Sequence, residues 1–137
     1  MLSLDWVDPK DLHEHWPLIR EGLEKVKKHG DNWLIEDVYF SIKQGTSNLH
    51  LGAISGDYRG FLITQQVPGY DGNILHLWAC YSTDRKEADL LTQGMVYIEE
   101  WAKNINAKRI TFHSPRKGWE KNTLGFKPVQ IIYAKEL

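Results

Sequence analysis

The chain has 137 residues, of which 42% are hydrophobic and 26% are charged, and its formal net charge is -1. This length predicts one domain spanning 1–137, and the composition excludes a disordered or collagen-like chain. The near-neutral charge provides no general attraction to nucleic acid or to anionic lipid.

The cysteine content and the N-terminal residues indicate the compartment. Cys80 is the single cysteine, so no disulfide can form within the chain, and its apolar neighbours predict a thiol that acts as a small hydrophobe. The N-terminus lacks a basic region followed by an apolar run, and no apolar stretch is long enough to cross a bilayer. We therefore expect a cytoplasmic protein without a membrane partner.

The first third of the chain predicts a strand followed by two helices. The strand is Ser3 to Val7, and Asp8-Pro9 supplies a cap and a first-turn proline for the first helix. One apolar stripe runs along that helix at spacings of four and three: Leu12, Trp16, Ile19, Leu23 and Val26. Gly30 ends the first helix, Asp31 caps the second, and Gly45 ends the second. The second helix carries Leu34, Ile35, Val38, Tyr39 and Ile42.

Alternating apolar residues then predict a meander of three strands. Residues 49–54 and 61–67 flank the turn-rich segment 55–60, and a second turn at 68–72 leads to a strand over 74–81. In this third strand one face is predicted to hold Leu75, Leu77, Ala79 and Tyr81, and the other to hold Ile74, His76, Trp78 and Cys80. We expect helices or a ligand to cover both faces.

The rest of the chain predicts a helix, a strand, a short helix and a last strand. The long helix is Glu87 to Asn104, with Leu90, Leu91, Met95, Ile98 and Trp101 predicted to be buried. Gly94 costs roughly 1 kcal/mol relative to Ala inside a helix, which indicates close packing on the sheet. Arg109 to His113 follows as a strand parallel to 74–81. A short helical turn at Trp119 to Leu124 and a strand at Val129 to Lys135 complete the prediction.

This order of elements resembles the GNAT superfamily of acyl-CoA-dependent N-acyltransferases over nearly the whole chain. Two segments add to the likeness: Leu124-Gly125-Phe126-Lys127-Pro128 and Ile98 to Lys103. The resemblance implies an α+β fold, an α/β/α sandwich whose mixed, mostly antiparallel sheet contains a parallel central strand pair, in the order β-α-α-β-β-β-α-β-α-β. It also implies acetyl-CoA or another acyl-CoA as co-substrate and an amine acceptor on a small molecule or a protein.

The resemblance implies a cofactor site between the third meander strand and the long helix. Backbone groups of Trp78, Ala79 and Cys80 are expected to hold the acyl-pantetheine arm. Arg85 and Lys86 are expected to bind the pyrophosphate at the helix N-terminus. The family's loop has the form Q/R-x-x-G-x-G/A, whereas this chain has no glycine at the corresponding positions, whichever of the two basic residues begins the motif.

The candidate catalytic residues are His76, Glu36 and Lys121. His76 or Glu36 can take a proton from the amine, because histidine titrates near neutrality and Glu36 borders the acceptor pocket by family analogy. Lys121 takes the place of the tyrosine that often protonates the leaving thiolate, and it can donate only if its pKa is lowered. Ser114 takes the place of an asparagine often found after the fifth strand. His113 is a second strand histidine, and strand histidines are often structural.

Other kinds of site have little support in the sequence. His13 and His15 are two residues apart, a poor spacing for a shared metal on a helix, so we predict no metal. Basic residues near 108–109 and 116–121 can form a local patch, but no nucleic-acid-binding signature accompanies them.

Two functions therefore remain open. One is acetyl transfer to an amine by an enzyme with an altered cofactor motif, which the order of elements favours. The other is a GNAT-shaped protein-binding or assembly component without catalysis, similar to small divergent members encoded by bacteriophages, which the altered loop favours. An exposed last strand would also permit pairing with another copy, as a homodimer, or with another protein.

Overall fold

The computed structural model describes residues 1–27, 33–83, 88–114 and 124–137, and it leaves the side chains of 88–91 undescribed. Within these residues one sheet has the strand order β1-β2-β3-β4-β5. Its strands are Leu2–Trp6, Ser47–Ile54, Asp57–Gly69, Gly72–Ser82 and Ala107–Phe112. Helices α1 and α2 are Leu12–Lys27 and Ile35–Gln44, between β1 and β2, and α3 is Ala88–Asn104, between β4 and β5.

The sheet lies between two helical layers, which confirms the predicted α+β sandwich. Adjacent strands are antiparallel except β4 and β5, which are parallel because α3 crosses between them. On one face, α1 and α2 pack on alternate strand residues such as Leu49 and Ile63. On the other face, α3 packs on the residues between them, such as Leu62 and Leu75. No helix among the described residues is long and apolar enough to cross a membrane.

The helix predictions hold in position and differ at the ends. Asp8 accepts a hydrogen bond from the Lys10 amide at 3.0 Å, but the turn it caps, Pro9–Asp11, is a 3₁₀ helix, and α1 begins at Leu12. The sequence places Leu34 in the second helix, yet Leu34 is the exposed residue before its first turn. Gly45 ends α2 with a φ of 81°, as predicted. The predicted end at Gly30 and cap at Asp31 lie outside the described residues.

A bulge in β4 overturns the predicted faces of this strand. Ile63 pairs with Ala79 and Thr64 pairs with Leu77, so Trp78 is an extra residue opposite β3. The extra residue changes the alternation, and Leu77 faces α3 while Ala79 and Tyr81 face α1 and α2. The expectation that Leu75, Leu77, Ala79 and Tyr81 share one face is therefore wrong.

The predicted last strand is absent from the structure. Residues 129–135 lie in the described segment 124–137, which contains no strand, and Val129, Ile131, Ile132 and Tyr133 are 69% to 89% exposed. Their β propensity is real, but a strand also needs a partner edge, and none is paired to this segment. The predicted helical turn at Trp119 to Leu124 lies outside the described residues except for Leu124.

Replacing each of two helix glycines with alanine is expected to change the stability of the fold in opposite directions. A Cβ at Gly94 would lie 3.9 Å from Leu4 Cδ1, an ordinary contact, so the close packing predicted there is not found. A Cβ at Gly22 would lie 2.5 Å from Phe61 Cε2 and 2.8 Å from Tyr81 Cδ2. We expect Gly94→Ala to stabilise the fold by about 0.5–1 kcal/mol and Gly22→Ala to destabilise it by about 1–3 kcal/mol.

Urea unfolding of the two variants beside the wild type checks this prediction. Each variant is the control for the other, because both replace a helical glycine by the same residue and differ in the space around it. Equal changes in the free energy of unfolding would contradict it.

Candidate active site

The pairing of the parallel strands β4 and β5 stops before the C-terminal end of β4. Their register runs from Asn73 with Ala107 to Leu77 with Phe112, where β5 ends. β4 continues through Trp78 to Ser82, so the sheet opens beside its last five residues. An opening outside the C-terminal ends of parallel strands is where open α/β sheets usually bind ligands.

The bulge lies at this opening. Trp78 is half-buried and contacts Trp33, the residue two before α2, edge to face at 5.9 Å between ring centroids. Ala79 is 5% exposed and belongs to the core under α1 and α2. Cys80 is exposed as a residue, although local burial raises the pKa of its thiol. The backbone of these three residues is therefore at the opening, where the resemblance places the acyl-pantetheine arm.

His76 is a candidate catalytic residue that has both a side-chain hydrogen bond and a ring contact. Because β4 and β5 are parallel and in register, His76 lies beside Thr111, and their Nδ1 and Oγ1 atoms are 2.9 Å apart. The ring of His113, two residues further along the chain, lies 4.8 Å from the His76 ring. His76, Thr111 and His113 thus form a polar cluster, here called the histidine cluster, and His76 is two residues before the bulge.

The surroundings favour a neutral His76. Burial lowers the pKa of His76 below its ordinary value, and the nearby charge of His113 lowers this pKa further. At neutral pH the imidazole therefore has an unprotonated nitrogen. In the tautomer whose Nδ1 donates to the Thr111 hydroxyl, that nitrogen is Nε2, so Thr111 can both orient the ring and select the basic atom.

Glu36 lies in a different environment from His76. It is in the first turn of α2, its side chain is 70% exposed, and Oε1 lies 3.8 Å from Arg20 Nη2. It lines a shallow cavity of about 380 Å³ between α1 and α2, together with His13, Trp16, Pro17, Arg20 and Tyr39. The rings of Trp16 and Tyr39 meet edge to face at 4.8 Å. This cavity therefore combines aromatic faces, a guanidinium and a carboxylate.

A second polar group lies further along β4. Lys25 of α1 donates a hydrogen bond of 3.3 Å to the Tyr81 hydroxyl, and this bond raises the pKa of Lys25. The Tyr58 hydroxyl of β3 is buried and has no hydrogen-bond partner in the described part of the chain. Burial raises the pKa of Tyr58 to about 12, with smaller contributions from Tyr81 and Glu21. Cationic and phenolic groups therefore border the end of β4.

Of the remaining predicted site residues, the structure describes Ser114 alone. Ser114 is exposed and follows His113 directly. Arg85, Lys86 and Lys121 lie outside the described residues, so their roles stay predictions. No three His, Cys, Asp or Glu side chains within the described ranges form a group that could hold a metal ion.

The sequence interpretation did not identify Thr111, Lys25 or Tyr81 as functional side chains. Thr111 and His113 are two residues apart in the predicted strand Arg109 to His113. Pairing this strand with His76 in a parallel register could have identified the cluster. That register brings together residues far apart in the chain: His76 and Thr111 are separated by 35 positions. The contact of Lys25 with Tyr81 spans 56 residues and has no local signal.

Comparison with known proteins identifies the architecture. No protein-family model matches the chain, and no curated protein matches it in sequence. Solved structures do match along the whole length. A ribosomal-protein-alanine N-acetyltransferase from Brucella melitensis biovar Abortus 2308 has a TM-score of 0.71 at 12% identity, with 100% of both chains covered.

Two further structures have the same fold. A predicted acetyltransferase with acetyl-CoA from Clostridium acetobutylicum has a TM-score of 0.68 at 15% identity, covering 99% of this chain and 96% of its own. A GNAT family acetyltransferase from Staphylococcus aureus subsp. aureus USA300_TCH1516 has a TM-score of 0.67 at 16% identity, with 99% and 98% covered. The chain therefore has the GNAT fold, which confirms the architecture implied by the sequence resemblance.

Proposed function

We propose that the protein is an acyl-CoA-dependent N-acyltransferase that transfers an acetyl group to an amine. The observation that carries this proposal is the opening between β4 and β5, which has a bulge at Trp78 and, two residues before it, a neutral histidine that is hydrogen-bonded to Thr111. The similar structures include one with acetyl-CoA, which supports an acyl-CoA as the co-substrate.

In the proposed reaction, His76 acts as the general base. Its Nε2 takes the proton of the amine, directly or through one water molecule, while the Thr111 hydroxyl accepts a hydrogen bond from Nδ1–H and keeps the ring in place. The amine nitrogen then attacks the thioester carbonyl carbon, forming the C–N bond. Glu36 is the alternative base, and its place in the cavity between α1 and α2 makes it better positioned to bind the acceptor.

The opened strand supplies the second part of the proposed chemistry. A backbone amide near Cys80 polarises the thioester carbonyl as negative charge develops on its oxygen. The C–S bond then breaks, and the thiolate leaves with the electron pair and takes up a proton. Lys121 is the donor that the sequence predicts for this last proton.

The acceptor proposed is a protonated amine that loses its proton in the site. Aromatic faces and a carboxylate attract ammonium groups, and the cavity lined by Trp16, Tyr39 and Glu36 has both. The Brucella protein with the same fold is named for acetylation of an alanine, also through an amine. A free small-molecule amine and a protein amine both satisfy this chemistry.

Acetyl-CoA at millimolar concentration is expected to raise the thermal unfolding temperature. A ligand at a hundred times its Kd stabilises the folded state by about 2.7 kcal/mol. We expect Arg85→Ala to reduce this shift, because the resemblance implies that Arg85 binds the pyrophosphate. Arg109→Ala, near the start of β5 and away from the opening, is expected to leave the shift unchanged. Absence of any shift in the wild type at millimolar acetyl-CoA would count against cofactor binding.

A second function, a non-catalytic assembly component, is favoured by a different observation. Large apolar side chains are exposed outside the opening, among them Phe40 at 62% and Tyr70 at 96%. Exposed aromatic side chains can serve as anchors for a partner protein. Under this second function, changes at the exposed aromatic residues would abolish partner binding, while Arg85→Ala would have no effect. Tight binding of coenzyme A that depends on Arg85 would exclude it.

A further inference from the structure

Arg59 is a half-buried arginine beside the end of β4. Its Nε atom is buried and has no hydrogen-bond partner in the described part of the chain. The structure describes two other arginines, and both make ion pairs: Arg20 with carboxylates of α1 and α2, and Arg109 with Asp71. Buried polar groups almost always have a hydrogen-bond partner, because an unpaired one is unfavourable. A cation with a buried, unpaired donor therefore indicates a site for an anion.

A second bulge, in β3, places Arg59 at this position. Ala53 pairs with Tyr58 and Gly52 pairs with Gly60, so Arg59 is an extra residue opposite β2. Bulges of this kind re-aim a side chain and are common next to active sites. The bulge requires Gly60, because its φ is 145° and a Cβ there would overlap the main chain of β4.

The main chain of Arg59 is bonded to the residue that follows β4. Thr83 donates two hydrogen bonds to the Arg59 carbonyl oxygen, one from its amide at 3.0 Å and one from Oγ1 at 3.3 Å. Gly60 pairs with Ser82, the last residue of β4. Arg59 is therefore fixed at the end of β4 that borders the opening between β4 and β5.

We propose that Arg59 binds the phosphate groups of the acyl-CoA co-substrate, an inference that rests on the proposed function. A guanidinium donates parallel hydrogen bonds to phosphate oxygens, and the unpaired Nε is one of its donors. β4 continues from the bulge at Trp78 to Ser82, roughly 13 Å of extended chain. This span is comparable to the pantetheine arm that separates the thioester of acyl-CoA from its phosphates.

The contact supplies a charge that the cofactor motif lacks in another form. Glycines in the family's loop let main-chain amides approach the pyrophosphate, and this chain has none at the corresponding positions. A long cationic side chain needs no such approach of the main chain. Lys25 is a second cation near the end of β4, bonded to Tyr81, but Glu21 lies 3.6 Å from it and offsets its charge. Of these two cations, Arg59 is the one without a carboxylate within the described residues.

Binding titrations followed by NMR test the role of Arg59 with three thioesters. Acetyl-CoA has all of the phosphates, acetyl-dephospho-CoA lacks the 3′-phosphate, and S-acetylpantetheine has none. We expect Arg59→Gln to bind acetyl-CoA about 10–100-fold more weakly than the wild type, the usual cost of a lost hydrogen bond to a charged group, and S-acetylpantetheine equally well. Arg59→Lys keeps the charge and is expected to lose less affinity. The wild-type Nε–H signal that is missing from Arg59→Gln is expected to shift on addition of acetyl-CoA.

The matched control is Arg109→Gln, the same change at an arginine paired with Asp71 near the start of β5, and it is expected to retain wild-type affinity. A contact with the 3′-phosphate confines the loss in Arg59→Gln to acetyl-CoA, whereas a contact with the pyrophosphate gives the same loss with acetyl-dephospho-CoA, and either result supports the proposal. Equal affinity of Arg59→Gln and the wild type for acetyl-CoA would overturn it. An equal loss with S-acetylpantetheine would overturn it too, because that loss indicates a structural role.

Failure of the proposed function gives a different result from failure of this inference. If the wild type binds none of the three thioesters, the proposed activity fails and the role of Arg59 fails with it. If the wild type binds acetyl-CoA and Arg59→Gln binds it equally well, the role of Arg59 fails alone.

Discussion

Replacing His76 with glutamine is expected to lower the turnover of acetyl transfer by about 10²–10⁴-fold, the usual range for loss of a general base. Glutamine keeps a hydrogen-bonding group near Thr111 but cannot accept a proton at neutral pH. Release of free coenzyme A, followed with a thiol reagent and saturating acetyl-CoA, measures this loss. The KM for acetyl-CoA is expected to change little, because the side chain acts on the amine.

The pH dependence of the same reaction identifies the titrating group. Because burial and His113 lower the pKa of His76, the wild-type rate is expected to rise with pH below about 6.5 and to be level at neutrality. The rising limb should be absent in His76→Gln. Thr111→Val is expected to retain the limb and lose a smaller part of the turnover, since Thr111 positions the ring and does not take the proton.

Two further variants test whether His76 is the general base. His15→Gln makes the same change on α1, away from the histidine cluster, and is expected to retain wild-type turnover. Glu36→Gln is expected to raise the KM for the amine more than it lowers turnover. Wild-type turnover in His76→Gln together with a large loss in Glu36→Gln would transfer the role of base to Glu36.

Acidification is expected to destabilise the fold by about 3 kcal/mol through His50 alone. His50 is completely buried between the sheet and α3, and its Nδ1 and Nε2 lie 2.9 Å from the Tyr97 hydroxyl and 3.0 Å from the Thr64 hydroxyl. Burial lowers the pKa of His50 from 6.5 to about 4. Between these two values the unfolded chain binds a proton at this residue and the folded chain does not, so a falling pH favours unfolding.

Urea unfolding at a series of pH values measures this contribution. The stabilising effect of neutral His50 is fully present above about pH 6.5 and is lost as the pH falls towards about 4, below which it no longer changes. His50→Gln is expected to be less stable at pH 7, because packing and hydrogen bonds are altered, and to have a smaller pH dependence. His13→Gln, at an exposed position on α1, should retain the wild-type dependence. An equal slope in His50→Gln and the wild type would show that other groups cause the acid sensitivity.

The elements that the sequence predicts correctly are those whose signals are local. In the predicted stripe, Leu12, Ile19 and Leu23 are completely buried, and Trp16 and Val26 are partly buried. The turn between β2 and β3 has positive φ at Ser55 and Gly56, in keeping with the turn-forming residues there. Periodicity, caps and turn residues act over a few neighbours, so they can be interpreted without knowing the fold. The order of elements then sufficed to indicate the GNAT architecture.

Contacts between side chains that are far apart in the chain depend on the tertiary structure. Strand alternation assigned faces to β4 correctly up to Leu77, but the bulge at Trp78 is set by pairing with β3 and reversed the assignment beyond it. His76 was a candidate from its chemistry, yet its contacts with Thr111 and His113 exist because β5 pairs with β4 in one parallel register. Residues 129–135 have the composition of a strand and do not form one, since a strand also needs a partner edge. Register and partner choice depend on residues far apart in the chain, and no local pattern contains them.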